Sequence, residues 1–198
     1  MEEKDKLEFE KRINIHYAYF GKIGVEYERM CQFLRFSIIF FLSKNGLKNQ
    51  GYSQIMLADL SAYQLISKYR AIYSMAHQKK PDYIEYLAPF FKALLTLNDE
   101  RNFLIHGEWS IPENNKHNYN SDPEVNSVFV KKSKVTKDGV RLDGREYEKD
   151  DYVRLLDNIK LAWKTLHLIY SCYQFNEDLF KVVKQETIDK LKMKPYSK

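Results

Sequence analysis

The sequence predicts a mainly α-helical fold of about five helices, interrupted once by a short β-hairpin. Three observations carry this expectation. Tyr (15) and Phe (12) are abundant while Gly (7) and Pro (5) are scarce, so bulky side chains outnumber chain breakers. Apolar residues recur at three- and four-residue steps over most of the chain. The one stretch that alternates instead surrounds Asp138-Gly139, a pair suited to a tight hairpin turn.

From about Leu7 to Lys44, Ile13, Tyr17, Phe20, Ile23 and Tyr27, followed by Met30, Phe33, Leu34, Ile38 and Leu42, make one helical face. Gly21 and Gly24 lie inside this run and mark a kink or a close helix crossing, since each costs about 1 kcal/mol relative to Ala. Asn45-Gly46 closes the segment. Ser53 is the expected N-cap of a second helix that carries Leu57, Leu60, Leu65, Ile66, Tyr69, Ile72 and Tyr73 toward Lys80. Pro81-Asp82 opens a third, from about Tyr83 to His106, with Leu87, Phe90, Phe91, Leu94, Leu95 and Leu97 turned to a core.

Residues 112–124, rich in Asn, Ser, Asp and Pro, read as a surface loop. Alternation over 125–135 and again over 140–147 gives a hairpin or three-strand excursion at about 109–148. Asp150 or Asp151 then caps a helix with Val153, Leu156, Ile159, Leu161, Trp163, Leu166, Ile169 and Tyr170. Asn176-Glu177-Asp178 starts a last amphipathic helix with Leu179, Val182, Val183, Ile188 and Leu191, before a basic tail over 190–198. No repeat or linker divides the chain, so one domain over 1–198 is expected.

Composition narrows the function. A net charge of +5 suits a polyanionic partner without requiring one. Cys31 and Cys172 are too few for a disulfide framework and read as reduced, buried thiols of a cytoplasmic protein. The start, Met-Glu-Glu-Lys-Asp-Lys, has no secretory signal character, and the most apolar run, Phe33 to Leu42, is too short for a bilayer and contains Arg35. No membrane partner is expected. His16, His117 and His167 have no partner at ligand spacing, and neither common phosphate-cradling glycine loop is present, so neither metal nor cofactor is expected.

The chemistry concentrates in residues 99 to 109, Asp-Glu-Arg-Asn-Phe-Leu-Ile-His-Gly-Glu-Trp, at the far end of the third helix. Arg101 is a permanent cation suited to phosphate, Asn102 an amide, and His106 a group that exchanges protons near neutral pH. On an ideal helix Asn102 and His106 are about 40° apart, but Arg101 is about 140° from His106, so one copy makes a poor pocket. Two copies about a two-fold axis would bring an arginine and a histidine from different chains onto one phosphate. Asp99 and Glu100 are supporting candidates, since a nearby carboxylate fixes an imidazole tautomer. Their spacing favours pairing instead with Arg101, Lys92 or a partner chain. In a purely structural reading, Gly107 is a C′ glycine and His106 a last-turn cation.

This element, Arg-Asn followed by three residues, His and Gly, resembles the signature of the HEPN superfamily, the higher eukaryotic and prokaryotic nucleotide-binding domains. The resemblance covers the helical body and the motif. It implies an up-and-down helical bundle, a homodimer with a composite cleft, and metal-independent endoribonuclease activity carried by Arg101, Asn102 and His106. The setting it implies is a toxin–antitoxin pair or anti-phage defence, with RNA as substrate and a cognate antitoxin or regulatory protein as a further partner. A looser family spacing also fits Arg70 and His77, but Ala71 stands where the family has a polar residue, so this pair is set aside. The hairpin's Lys131, Lys132, Lys134, Lys137 and Arg141 are candidates for tracking an RNA backbone. The rival expectation is a non-catalytic HEPN-like dimer that binds nucleotide, RNA or a protein.

Overall fold

A computed structural model describes residues 3–111, 127–137 and 139–191. The loop expected over 112–124, with His117, and most of the basic tail lie outside these residues. Among the described residues the chain is mainly helical, as its periodicity predicts, with seven helices and one three-stranded antiparallel sheet.

Helix α1 (Glu3–Lys44) runs through Gly21 and Gly24 without a break. Among the described residues a Cβ at either glycine would meet nothing within 4 Å, so none of them makes the close crossing expected there. Gly46, at φ +102°, turns the chain out of α1 in a conformation that favours glycine. The expected second helix is two: α2 (Gln50–Ala58) and α3 (Ala62–Ala76). Asn49, not Ser53, caps α2, and Ser53 is buried within it. The cause of the split is Ser61, which accepts from Gln64 N while Gln64 reaches back to Ser61 N, a reciprocal cap that starts a new helix. Helix α4 (Pro81–His106) ends on the motif histidine.

Strands β1 (Glu108–Ser110), β2 (Val128–Thr136) and β3 (Gly139–Tyr147) pair in that order. Helix α5 (Lys149–Phe175) follows, with Asp151 accepting from the Glu148 N–H at 3.0 Å. The expected last helix is also two, α6 (Leu179–Val182), capped by Asp178, and α7 (Gln185–Lys190). Extended backbone at Val183 and Lys184 parts them.

One domain over 1–198 is the sequence expectation; backbone contacts group the chain into two compact units, each assembled from separate stretches. The larger unit takes Glu26–Asp99 and the chain from Asn158 onward. Its core is helical: Met30, Leu34, Ile38 and Phe41 of α1, Tyr69 and Tyr73 of α3, Leu87, Phe90, Phe91 and Leu94 of α4, and Ile159, Leu166 and Ile169 of α5 are all buried. Each such side chain contributes about 1.5–3 kcal/mol of hydrophobic stabilisation. Tyr27 donates to Asn98 Oδ1 at 3.0 Å in this interior, which satisfies the amide oxygen there.

The smaller unit takes the chain up to Val25 and Glu100–Asp157. It holds the sheet and the last turns of α4. The sheet's parity divides its residues cleanly. Val128 pairs with Tyr147 and Val130 with Arg145, and Val128, Val130 and Tyr147 are fully buried. On the opposite face, Val140 and Leu142 are 68% exposed. There the Phe129 ring lies over Gly144, where a Cβ would collide with it. Tyr152 packs in this unit with its ring stacked on Tyr19 and its hydroxyl 3.2 Å from His16 Nδ1. Of the early aromatics on α1, Tyr17 is 61% exposed and is no part of the core.

Candidate active site at the end of α4

Burial of the intervening apolar residues fixes where the motif's polar groups lie. Phe103 and Leu104 are buried, leaving Arg101 and Asn102 half-buried and His106 exposed at the last helical position. Arg101 Nη1 donates to Asn102 Oδ1 at 3.0 Å and lies 3.4 Å from His106 Nε2. Arginine and histidine therefore meet within a single chain, despite the angle that separates them on an ideal helix. The Cβ atoms are separated by a rotation of about 140° and a rise of about 7.5 Å. However, the long arginine stem spans that gap across Asn102, and helical side chains lean back toward the N-terminus, which brings His106 toward it.

A guanidinium has only donors, so in this contact the acceptor position falls to Nε2 of His106. The arrangement sets an imidazole beside a fixed cation, a pairing that can move a proton next to a phosphate.

Glu100, one of the two supporting candidates, is tied to the sheet. It is buried, accepts from Arg145 Nη1 at 2.6 Å, and lies 3.4 Å from the Tyr147 hydroxyl. The Arg145 guanidinium also sits 4.1 Å from the Phe103 ring centroid. Burial opposes the charge on Arg145, but the Glu100 carboxylate and Tyr147 outweigh it, so its pKa is raised above the ordinary arginine value. Arg101, Lys92 or a partner chain is the expected source of a cation for Glu100; an arginine from β3 supplies one. The carboxylate fastens the sheet to the helix carrying the motif. Asp99 is exposed and makes no ion pair among the described residues.

Gly107 is where helix passes into sheet, and packing dictates it. A Cβ there would collide with Val130 Cγ1 and stand 2.7 Å from the Phe103 carbonyl oxygen. Its φ is not positive, so it is not the left-handed C′ glycine of the structural reading.

The hairpin cations separate by position. Lys132, on the inner face with Val130, donates to the Asn102 carbonyl at 3.4 Å. Lys131 lies on the opposite face, 5.6 Å from the Phe129 ring centroid. Lys137 is exposed in the turn, and Arg141 is exposed and paired with Asp143 at 2.9 Å. Lys134 occupies the register position opposite Arg141. The set-aside pair, Arg70 and His77, does not converge: Arg70 lies over Phe91, while His77 caps α3 with Nδ1 2.9 Å from the Tyr73 carbonyl. Among the described residues no group of three or more His, Cys, Asp or Glu is arranged to hold a metal, and no helix is long and apolar enough to cross a membrane.

Sequence reasoning missed the roles of Arg145 and Tyr147, and the approach of Lys132 to Asn102. Strand parity counted from Tyr147 would have put Arg145 on the helix side, but the pairing partner is 45 residues away. Comparisons of the chain with protein-family models, curated proteins and solved structures found no match.

Proposed function

We propose that this protein is a metal-independent endoribonuclease of HEPN type. The reading rests on one observation above others, the Arg101 guanidinium held 3.4 Å from His106 Nε2 at an exposed helix end. In the proposed reaction, His106 Nε2 takes the proton of an RNA 2′-hydroxyl as that oxygen attacks the adjacent phosphorus. The bond to the 5′-oxygen breaks, leaving a 2′,3′-cyclic phosphate and, after that oxygen is protonated, a 5′-hydroxyl. Arg101 stabilises the charge that builds on the phosphoryl oxygens, and Asn102 orients Arg101 through its Oδ1. Lys131, Lys132, Lys134, Lys137 and Arg141 supply cations along the RNA backbone. A homodimer would add a second imidazole to act as the acid. The proposed setting is cytoplasmic, a toxin–antitoxin pair or anti-phage defence, with a cognate antitoxin or regulator as partner.

The test is incubation of labelled RNA with purified protein in the presence of chelator, followed by end-group analysis. Cyclic-phosphate termini are expected from the wild type and not from His106→Ala or Arg101→Ala, with helical content unchanged. RNA that is bound but never cut would identify a binding module instead.

A further inference from the structure

We infer that Lys132 is a second phosphate-binding cation of the Arg101–His106 site, positioned there by Asn102; the inference deepens the nuclease reading and rests on it for its substrate. Asn102 holds a cation on each of its two oxygens. Its side-chain Oδ1 accepts from Arg101 Nη1 at 3.0 Å, and its main-chain carbonyl accepts from Lys132 Nζ at 3.4 Å. One residue of α4 thus sets the placement of a guanidinium from its own helix and an ammonium from β2.

Two carboxylates of this unit already have arginine partners. Asp143, the cross-strand neighbour of Lys132, is taken by Arg141 at 2.9 Å. Glu100 is taken by Arg145 at 2.6 Å. Among the described residues Lys132 has no ion pair of its own. Its ammonium has three N–H bonds, of which the Asn102 carbonyl needs one. A half-buried lysine is worth more to an anion than a fully solvated one, because part of its competing hydration is already lost. A lysine near a helix C-terminus also complements the helix dipole without any ligand, so the two roles must be separated by measurement.

The probe is inorganic phosphate, titrated by calorimetry into the full chain and its variants, with RNA cleavage assayed in parallel. Lys132→Met should weaken phosphate binding about tenfold, the worth of one charge-assisted hydrogen bond. Lys132→Arg should restore it to within about threefold, since the second cation is kept. Lys68→Met, which removes the same charge from α3, should leave it unchanged. Equal phosphate affinity in wild type and Lys132→Met, or an equal loss in Lys68→Met, overturns the inference even if RNA is cut normally. Lys132-dependent phosphate binding in a chain that never cleaves RNA would uphold the anion site and remove the nuclease.

Discussion

Gly107→Ala is the most direct probe of how the motif is built. The added Cβ would collide with Val130 Cγ1, stand 2.7 Å from the Phe103 carbonyl oxygen and 3.1 Å from that of Lys131. Val130 is fully buried, and the other two contacts are main chain, so little can yield locally. Overpacking of this kind costs about 1–3 kcal/mol, and three fixed neighbours put Gly107→Ala at the upper end. The control is Gly21→Ala in the middle of α1, where the space is open and helix propensity gives a gain of roughly 0.5–1 kcal/mol. The two variants should therefore bracket the wild type by a total of about 4 kcal/mol in urea denaturation followed by circular dichroism. A Gly107→Ala protein within about 0.5 kcal/mol of wild type would mean that β2 does not pack on the end of α4. The account of the glycine, and of the sheet docking it serves, would then be wrong.

Other perturbations test separate parts of the structure. Glu100→Ala leaves Arg145 and Tyr147 without their shared carboxylate and should cost about 2 kcal/mol, less than at a fully buried pair because Arg145 keeps 33% of its side-chain exposure; an unchanged urea midpoint would refute the fastening role. Ser61→Ala removes the reciprocal cap and should destabilise by about 1 kcal/mol, read as a lower urea midpoint. Burial lowers the pKa of both His77 and His167 from 6.5. The unfolded chain then binds protons more readily than the folded one, so their contribution to stability is complete above about pH 6.5 and is lost as pH falls through the lowered folded values. Urea midpoints should drop between pH 7.5 and pH 5, on the order of the usual histidine range, and His77→Gln should flatten that drop. A midpoint that rises on acidification contradicts this.

Local signals in the sequence were legible where a single residue type decides the backbone. Asn45-Gly46 gives the end of α1 because Gly46 alone takes the positive φ required. The alternation on either side of the turn gives the two hairpin arms, where Thr136 pairs with Gly139, and the period of the apolar residues gives α1, α4 and α5. The break between α2 and α3 was hidden because Leu57, Leu60 and Leu65 keep a helical rhythm across it, while the deciding Ser61 and Gln64 are polar. At the site, residue identities were readable but their meeting was not. Ideal-helix angles place Cβ atoms, whereas a guanidinium acts at the end of a long flexible stem. Arg145, Tyr147 and Lys132 reach the motif only through strand pairing, which no local pattern around residues 99–109 contains.

The contact between Phe129 and Gly144 has a consequence beyond the hairpin itself. Only at the observed alignment does the aromatic ring find an empty position across the ladder; sliding β3 by one residue would drive a side chain into it. The same slip would exchange the faces of the strand, so that Arg145 turned to water and Glu146 toward the buried carboxylate of Glu100. A lone benzyl group over a missing side chain thus determines which charges the motif meets, and a hairpin misaligned during folding would repel the helix it should cover.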